Sequence, residues 1–141
     1  PDRVYNAVYN DIAELFPCKI KSEPGDVLML DVSSEEETYI KSTEKAHCVV
    51  GVYSDTFGYL LGGEKGMTSE ELESKYVPIG LAGRVKVNVV GKINKGDKLV
   101  ATYDGCARAF NTKKDTVDEI IGYALESDDR TDKRRLKMKI S

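Results

Sequence analysis

Two carboxylates near the start of the chain, Asp11 and Glu14, are the residue pair best suited to chemistry. Residues three apart share one face of a helix, so a helical segment here would bring the two carboxyl groups together. Neighbouring carboxyl groups can hold different protonation states, one serving as acid and the other as base. The Asn10–Asp11 peptide bond lies directly beside them. Spacing alone favours a more ordinary interpretation, an exposed helix with acidic residues in its first turns.

Two other segments offer weaker candidates. Residues 55–64 contain a Gly-Gly pair followed by an acidic residue, and Lys65 comes next. This arrangement suits an anion, yet no dinucleotide or P-loop glycine motif is present. A turn that follows the preceding strand is the simpler interpretation of that segment. Ser54 lies close in sequence to His47 and Asp55, but no nucleophile elbow surrounds it. Serine hydrolase chemistry is therefore not expected.

The cysteines and the single histidine do not predict a metal site. Cys18, Cys48 and Cys106 are an odd number without C-x-x-C spacing, which favours neither a disulfide framework nor a zinc ribbon. A zinc site around His47 would need ligands from remote positions. We predict no metal and no cofactor.

Composition excludes several classes of function. The 141 residues are 40% hydrophobic and 32% charged, a balance typical of a globular chain rather than a disordered one. The net charge of −3 argues against a nucleic-acid partner. No apolar run approaches the roughly 20 residues of a membrane helix, so no membrane partner is expected.

The elements that would position Asp11 and Glu14 follow from the apolar pattern. Val4, Val8, Ile12 and Leu15 have helical spacing, and a proline follows at position 17, so we predict a helix that ends at residue 16. Residues 1–16 would form this helix and a junction segment. Residues 17–141 read as one β domain, with one or two valine-rich strands over 77–90 and a helical turn over 68–76.

The β domain contains an internal repeat, in which similar residues recur at a constant shift of 71 positions. Gly25-Asp26 recurs as Gly96-Asp97, Tyr39 aligns with Phe110, and residues 49–51 align with 120–122. We interpret residues 25–55 and 96–126 as two related β units. Glycine inside a strand marks a bulge or a close backbone approach. The predicted fold is mainly β, a compact barrel or β-clip-like domain of two such units with a short N-terminal helix.

Five segments together resemble one domain family, and they lie at residues 10–16, 51–54, 77–85, 95–99 and 121–126. The Asp-x-Ala-Glu and Leu-Ala-Gly-Arg-Val motifs carry most of this resemblance, which spans roughly residues 9–140. The family is the self-cleaving intramolecular-chaperone domain at the C-terminal end of phage tail spikes and neck appendage proteins.

The resemblance implies specific roles for residues near the start of the chain. Asp11 and Glu14 would be the catalytic carboxylates of a single-turnover autoprotease of the glutamic type, and Asn10–Asp11 would be the scissile bond. The family often has a serine where this chain has Asn10, which removes the N-to-O acyl shift at that bond. The aromatic position of the motif is occupied by Ile12.

We therefore expect a C-terminal intramolecular chaperone that promotes trimerisation and folding of a phage appendage and is released by cleavage next to Asp11. Its partners would be two further copies of itself and an upstream β-helical spike or fibre domain of the same chain. It would be a virion appendage component that is assembled in the cytoplasm of the bacterial host. The helix face carrying Val4, Val8, Ile12 and Leu15 would form the trimer contact.

Two alternatives stay open. The first is a structural or receptor-binding cap at the tip of a phage fibre that is not cleaved, with residues 55–76 as its contact loop. The second is an enzyme that acts on an external polysaccharide, for which the sequence offers no tryptophan and no acid pair besides Asp11 and Glu14.

Overall fold

β-Strands account for nearly all the regular structure in the computed structural model, which describes residues 11–62, 68, 70 and 74–141. The first six strands are β1 (Asp11–Pro17), β2 (Val27–Leu30), β3 (Tyr39–Lys41), β4 (Val49–Tyr53), β5 (Phe57–Leu61) and β6 (Tyr76–Ala82). The remaining strands are β7 (Arg84–Val89), β8 (Lys98–Ala101), β9 (Ala107–Ala109), β10 (Ile120–Ala124) and β11 (Arg134–Ile140). Short 3-10 turns occupy Tyr103–Gly105 and Val117–Glu119.

The strands form one open sheet and one closed barrel. The six-stranded sheet has the order β3-β2-β4-β6-β1-β5, and the barrel has the order β10-β11-β7-β9-β8. The barrel closes because β8 pairs with both β9 and β10. Within the described residues, no helix is long and apolar enough to cross a membrane.

The two β units have the same strand order and the same pairing register. In the barrel, β7 to β11 take the places that β1, β2, β3, β4 and β6 hold in the sheet. Leu28 pairs with Gly51 and Leu99 pairs with Gly122, and in both units the register then skips one residue, Val50 or Ile121. The predicted mainly β fold with a barrel and two related units is confirmed.

One of the aligned pairs does not occupy equivalent positions. Tyr39 pairs with Leu30 in the sheet, and the residue at the same place in the barrel is Ala107, which pairs with Ala101. The match of Tyr39 with Phe110 is therefore wrong. The connection before β9 is shorter than the connection before β3, so the shift falls from 71 to 68 residues there.

The turns that begin β2 and β8 explain the repeated Gly-Asp pairs. Gly25 and Gly96 have positive φ angles of 100° and 93°, which glycine adopts without a steric penalty. The following aspartates accept hydrogen bonds from the backbone N–H groups of Glu23 and Asn94, each at 2.8 Å. Both turns thus have the same glycine conformation and the same hydrogen bond from a backbone N–H group to the aspartate carboxylate.

A single glycine divides the valine-rich segment into two strands. Gly83, at a φ of +97°, ends β6 and redirects the chain from the sheet into the barrel. Its carbonyl accepts a hydrogen bond from the backbone of Ile140 at 2.9 Å. The prediction of one or two strands over 77–90 is resolved as two.

The hydrophobic core continues across both units. Its larger cluster fills the barrel and includes fully buried Val85, Val87, Leu99 and Leu136, together with Val27 and Val52 of the sheet. A smaller cluster around Leu28, Tyr39 and Ile79 covers the other side of the sheet. Apolar side chains from both units therefore leave water together when the chain folds.

A buried polar cluster joins the units on the side of the Gly25 turn. Asp26 is fully buried, and its carboxylate accepts a hydrogen bond from the side-chain amide of Asn88 in β7 at 2.9 Å. Lys41 of β3 lies 3.9 Å from the same carboxylate and also approaches Asp104. Burial raises the pKa of Asp26, because the cationic and hydrogen-bonding neighbours offset only part of the lost hydration.

The predicted N-terminal helix is wrong for residues 11–16. These residues form β1, which pairs with β6 along its whole length and with β5 on its other side. Residues 11–16 are therefore part of the sheet rather than a separate junction. Residues 1–10 lie outside the described part of the chain. Residues 69 and 71–73 of the helical turn predicted over 68–76 also lie outside it. Residues 70, 74 and 75 are helical, and Tyr76 already belongs to β6.

Candidate functional site

Strand β1 presents Asp11 to the interior of the protein. Asp11 is 1% exposed and Ala13 is completely buried, whereas Ile12 between them is 45% exposed. This alternation has a period of two, as expected for a strand with one buried face. Pairing with two neighbouring strands outweighs the helical spacing of the apolar residues, which is a weak local preference.

Two hydroxyl groups hold one oxygen of the Asp11 carboxyl group. Ser54 Oγ donates a hydrogen bond to Oδ1 at 2.8 Å, and Thr56 Oγ1 donates another at 3.1 Å. Ser54 is itself 2% exposed and accepts a hydrogen bond from the backbone N–H of Thr56 at 3.2 Å. The other oxygen, Oδ2, is buried and has no hydrogen-bond partner among the described residues.

This environment favours the protonated form of Asp11. Burial raises the pKa of its carboxyl group, and the negative charge of Asp55 adds to the increase. The hydrogen bonds from Ser54 and Thr56 act in the opposite direction but do not cancel the loss of hydration. A carboxyl group whose pKa is raised in this way holds its proton to higher pH than an exposed one and can donate it.

The close approach of β6 completes the site. A Cβ atom on Gly80 would lie 2.7 Å from Asp11 Oδ2 and 2.8 Å from a methyl group of Val85. No side chain larger than hydrogen fits at position 80 unless the carboxyl group moves. Gly80 therefore determines how deeply Asp11 is buried.

Glu14 lies in a different environment from Asp11. It is half-buried, it pairs with Leu61 in β5 and Ile79 in β6, and its Cγ atom lies close to Gly62. Residues three apart in a strand point to opposite faces, so the shared helical face predicted for the two carboxylates is wrong. None of the hydrogen bonds to the Asp11 carboxyl group comes from Glu14.

The other residues singled out near β1 are also separated. Ile12 is exposed and Leu15 is half-buried, and as strand residues three apart they do not share a face. The shared helix face predicted for these two residues is thus wrong, whereas their role in a trimer contact stays a prediction. Val4, Val8 and Asn10 lie outside the described residues, so the predicted scissile bond is described only on its Asp11 side.

Ser54, His47 and Asp55 do not form a catalytic triad. The hydroxyl of Ser54 donates to Asp11, and His47 is exposed beside the backbone of Lys45. The carboxylate of Asp55 accepts two hydrogen bonds from the Arg135 guanidinium group, each at 2.9 Å. This pairing lowers the pKa of Asp55 and holds β11 against the turn that carries Ser54 and Thr56.

Part of the segment predicted as a turn or anion loop is a strand. β5 lies at the edge of the sheet and pairs in parallel with β1. All five of its residues are exposed, and four of them are large and apolar or aromatic: Phe57, Tyr59, Leu60 and Leu61. Residues 63–67, which include the second glycine of the pair and the lysine, lie outside the described residues.

Sequence reasoning missed the residues that surround Asp11. Ser54 and Thr56 are more than forty positions from Asp11, and no local spacing connects them to it. The only available signal was the pair of hydroxyl residues flanking Asp55 directly after a buried strand. Gly80 was part of a recognised motif, but its contact with a carboxyl group depends on the β1–β6 pairing.

The fold is shared with solved structures of bacteriophage phi29 proteins. The crystal structure of pre-mature phi29 gene product 12 matches 94% of this chain with a TM-score of 0.69 and 15% sequence identity. The C-terminal fragment of gene product 12 matches 93% of this chain and all of the fragment, with a TM-score of 0.68 and 14% identity. The N base of the phi29 head fiber gp8.5 matches 92% of this chain and 93% of that one, with a TM-score of 0.55 and 18% identity.

Because the sequence identities are low, these comparisons establish the fold alone. The chain spans 21% of the length of pre-mature gene product 12. No protein-family model matches the chain, and no curated protein sequence matches it.

Proposed function

We propose that the chain is a C-terminal intramolecular chaperone that promotes trimerisation and folding of a phage tail spike or appendage, and that it is released by autoproteolysis next to Asp11. The supporting observation is the fold match that covers 93% of this chain and the whole C-terminal fragment of phi29 gene product 12. Gene product 12 is a protein of bacteriophage phi29, and gp8.5 is the head fiber of the same phage.

The chaperone role has a thermodynamic basis. Three long chains that must enter one β-helical spike in register lose translational, rotational and conformational entropy when they associate. A domain that folds and trimerises first covers part of this cost, because it places the three upstream segments next to each other. The partners are thus two further copies and the upstream β-helical domain, and assembly takes place in the host cytoplasm.

The proposed cleavage is hydrolysis of the Asn10–Asp11 peptide bond. Water adds to the carbonyl carbon of Asn10, the carbon–nitrogen bond breaks, and the nitrogen of Asp11 leaves as an amine after accepting a proton. The buried Asp11 carboxyl group, with its pKa raised by burial, is suited to supply that proton. Glu14 is the second proposed carboxylate and would act on the attacking water from the other face of β1.

The test uses the parent protein with its upstream segment, expressed as wild type and as the Asp11→Asn and Glu14→Gln variants. Intact mass and oligomer mass are measured on the same samples. Wild type should yield a fragment beginning at Asp11, both variants should stay whole, and all three should assemble as trimers. Glu35→Gln, which changes an exposed carboxylate between β2 and β3, is the matched control and should be cleaved like wild type.

An uncleaved cap at the tip of a fibre is the second candidate, and the exposed apolar strand β5 within residues 55–76 favours it. A parent protein that forms a trimer but is never cleaved would support this cap. Cleavage that persists in both carboxylate variants would remove Asp11 and Glu14 from the proposed chemistry. A parent protein that stays monomeric would contradict the assembly role in both proposals.

A further inference from the structure

Strand β5 adds an apolar surface that the fold of this chain does not use. Its five residues are all exposed, so it contributes nothing to either hydrophobic cluster. Tyr59 is 63% exposed and Leu61 is 47% exposed, and Ile12 of the neighbouring strand is 45% exposed. Contiguous exposed apolar side chains are unusual on a monomer and mark surfaces that become covered.

The backbone of β5 is also incompletely paired. It ends the sheet order, so one of its edges has no strand beside it among the described residues. Natural edge strands are usually protected by charges, prolines or bulges, and the sequence Phe57-Gly58-Tyr59-Leu60-Leu61 contains no charge and no proline. The pairing with β1 skips Gly58, so β5 carries one irregularity, but it has neither of the other two protective features.

Comparison of the two units identifies β5 as an addition. In the barrel, β7 closes onto β9, whereas in the sheet the corresponding strand β1 pairs with β5 instead. The chain from β10 to β11 contains no counterpart of β5, since only nine residues separate Ala124 from Arg134. The second β unit has no such strand, so β5 is particular to the first unit.

We propose that the face formed by β5 and the exposed side of β1 is the contact between copies of this chain. The occupant is a second copy because of where the chain continues upstream. Asp11, the first described residue, pairs with Phe57 at the start of both parallel strands, so β1 begins beside this face. A cyclic assembly through this face places the start of β1 of every copy at one end, close to the shared axis.

This inference rests on the proposed assembly function and assigns that function a surface. The oligomer mass of residues 1–141 is measured by analytical ultracentrifugation over a concentration series. The samples are wild type, the Tyr59→Lys variant and the double variant Tyr59→Lys/Leu61→Lys. Wild type should sediment at about three times 15.6 kDa. The double variant should dissociate at concentrations at least about tenfold higher than those at which wild type dissociates.

Val32→Lys is the matched control, since Val32 is 62% exposed and follows β2 near the opposite edge of the sheet. It should assemble like wild type. Circular dichroism spectra and urea unfolding midpoints establish whether each variant is folded. If the double variant is unfolded, the single Tyr59→Lys variant takes its place in the comparison. A wild-type oligomer that both β5 variants form equally well overturns the assigned surface but leaves the assembly function intact. A wild type that is monomeric at every concentration overturns both.

Discussion

At the scale of single residues, the chemistry of this chain is concentrated in one buried carboxyl group. Asp11 accepts hydrogen bonds from Ser54 and Thr56 on one oxygen, while the other oxygen lies against Gly80 without a partner. Burial of a partly satisfied carboxylate costs free energy, and protonation reduces that cost. The site therefore favours the protonated form of Asp11 more than water does.

The raised pKa of Asp11 predicts how stability depends on pH. The folded protein binds this proton more tightly than the unfolded chain, whose carboxyl group has the ordinary value of 3.8. The stabilisation by the proton is complete below that value and is lost as pH rises through the higher pKa of the folded state. Asp11→Asn keeps a neutral side chain at every pH, so its free energy of unfolding should increase relative to wild type as pH rises from 3.8 through the higher pKa of the folded state.

The measurement is urea unfolding of both proteins at several pH values in that range. Asp129→Asn controls for the loss of a carboxylate on an exposed loop, where the side chain is 91% exposed. A constant difference between Asp11→Asn and wild type across the range would show that Asp11 titrates alike in the folded and unfolded states.

At the scale of elements, each β unit depends on a glycine in the third strand after its Gly-Asp turn. Gly51 in β4 and Gly122 in β10 occupy the same place beside the same register shift. A Cβ atom at Gly51 would lie 2.3 Å from the carbonyl oxygen of Gly80, and one at Gly122 would lie 2.4 Å from that of Lys139. In both units the neighbouring backbone thus approaches to a distance that excludes any side chain.

Gly51→Ala and Gly122→Ala should each lower the free energy of unfolding by about 3 kcal/mol or more, because backbone atoms of a paired strand cannot move aside as a flexible side chain would. Lys137→Ala, at an exposed position of β11, should stay within about 0.5 kcal/mol of wild type. Urea denaturation at neutral pH measures all three. Wild-type stability in either alanine variant would mean that the two strands can separate slightly without losing their pairing.

At the scale of the whole molecule, the sheet and the barrel are joined by shared core and by one polar cluster. Val27 and Val52 of the sheet lie in the barrel cluster, and Asn88 of the barrel donates to Asp26 at the start of β2. The apolar contact supplies most of the free energy of joining. The buried hydrogen bond fixes how the two units are oriented, since any other arrangement would leave Asp26 without its donor.

Asn88→Ala should lower the free energy of unfolding by about 1–3 kcal/mol, because the buried Asp26 carboxylate loses the amide donor. Asn94→Ala changes an exposed asparagine in the equivalent region of the second turn and should have an effect within about 0.5 kcal/mol. Urea unfolding monitored by far-ultraviolet circular dichroism compares the two. Equal stability of both variants would indicate that water replaces the Asn88 amide at no cost.

The sequence by itself determined the β class and the repetition. The Gly-Asp turns at residues 25–26 and 96–97 and the aligned segments 49–51 and 120–122 carry local signals, since a positive φ angle and a glycine-marked bulge depend mainly on the residues that form them. These signals predicted strands whose bounds in the two units differ by the same 71 residues: Val27–Leu30 with Lys98–Ala101, and Val49–Tyr53 with Ile120–Ala124.

Only the tertiary structure decided which strands are neighbours and what Asp11 contacts. Residues 11–16 have helical spacing, yet they form a strand because β6 and β5 supply hydrogen bonds to both of its edges. Ser54 and Thr56 reach Asp11 through pairing between strands that are distant in sequence. The physical reason is that a short segment has only a weak conformational preference, whereas the partners of a buried strand fix both its conformation and the hydration of its side chains.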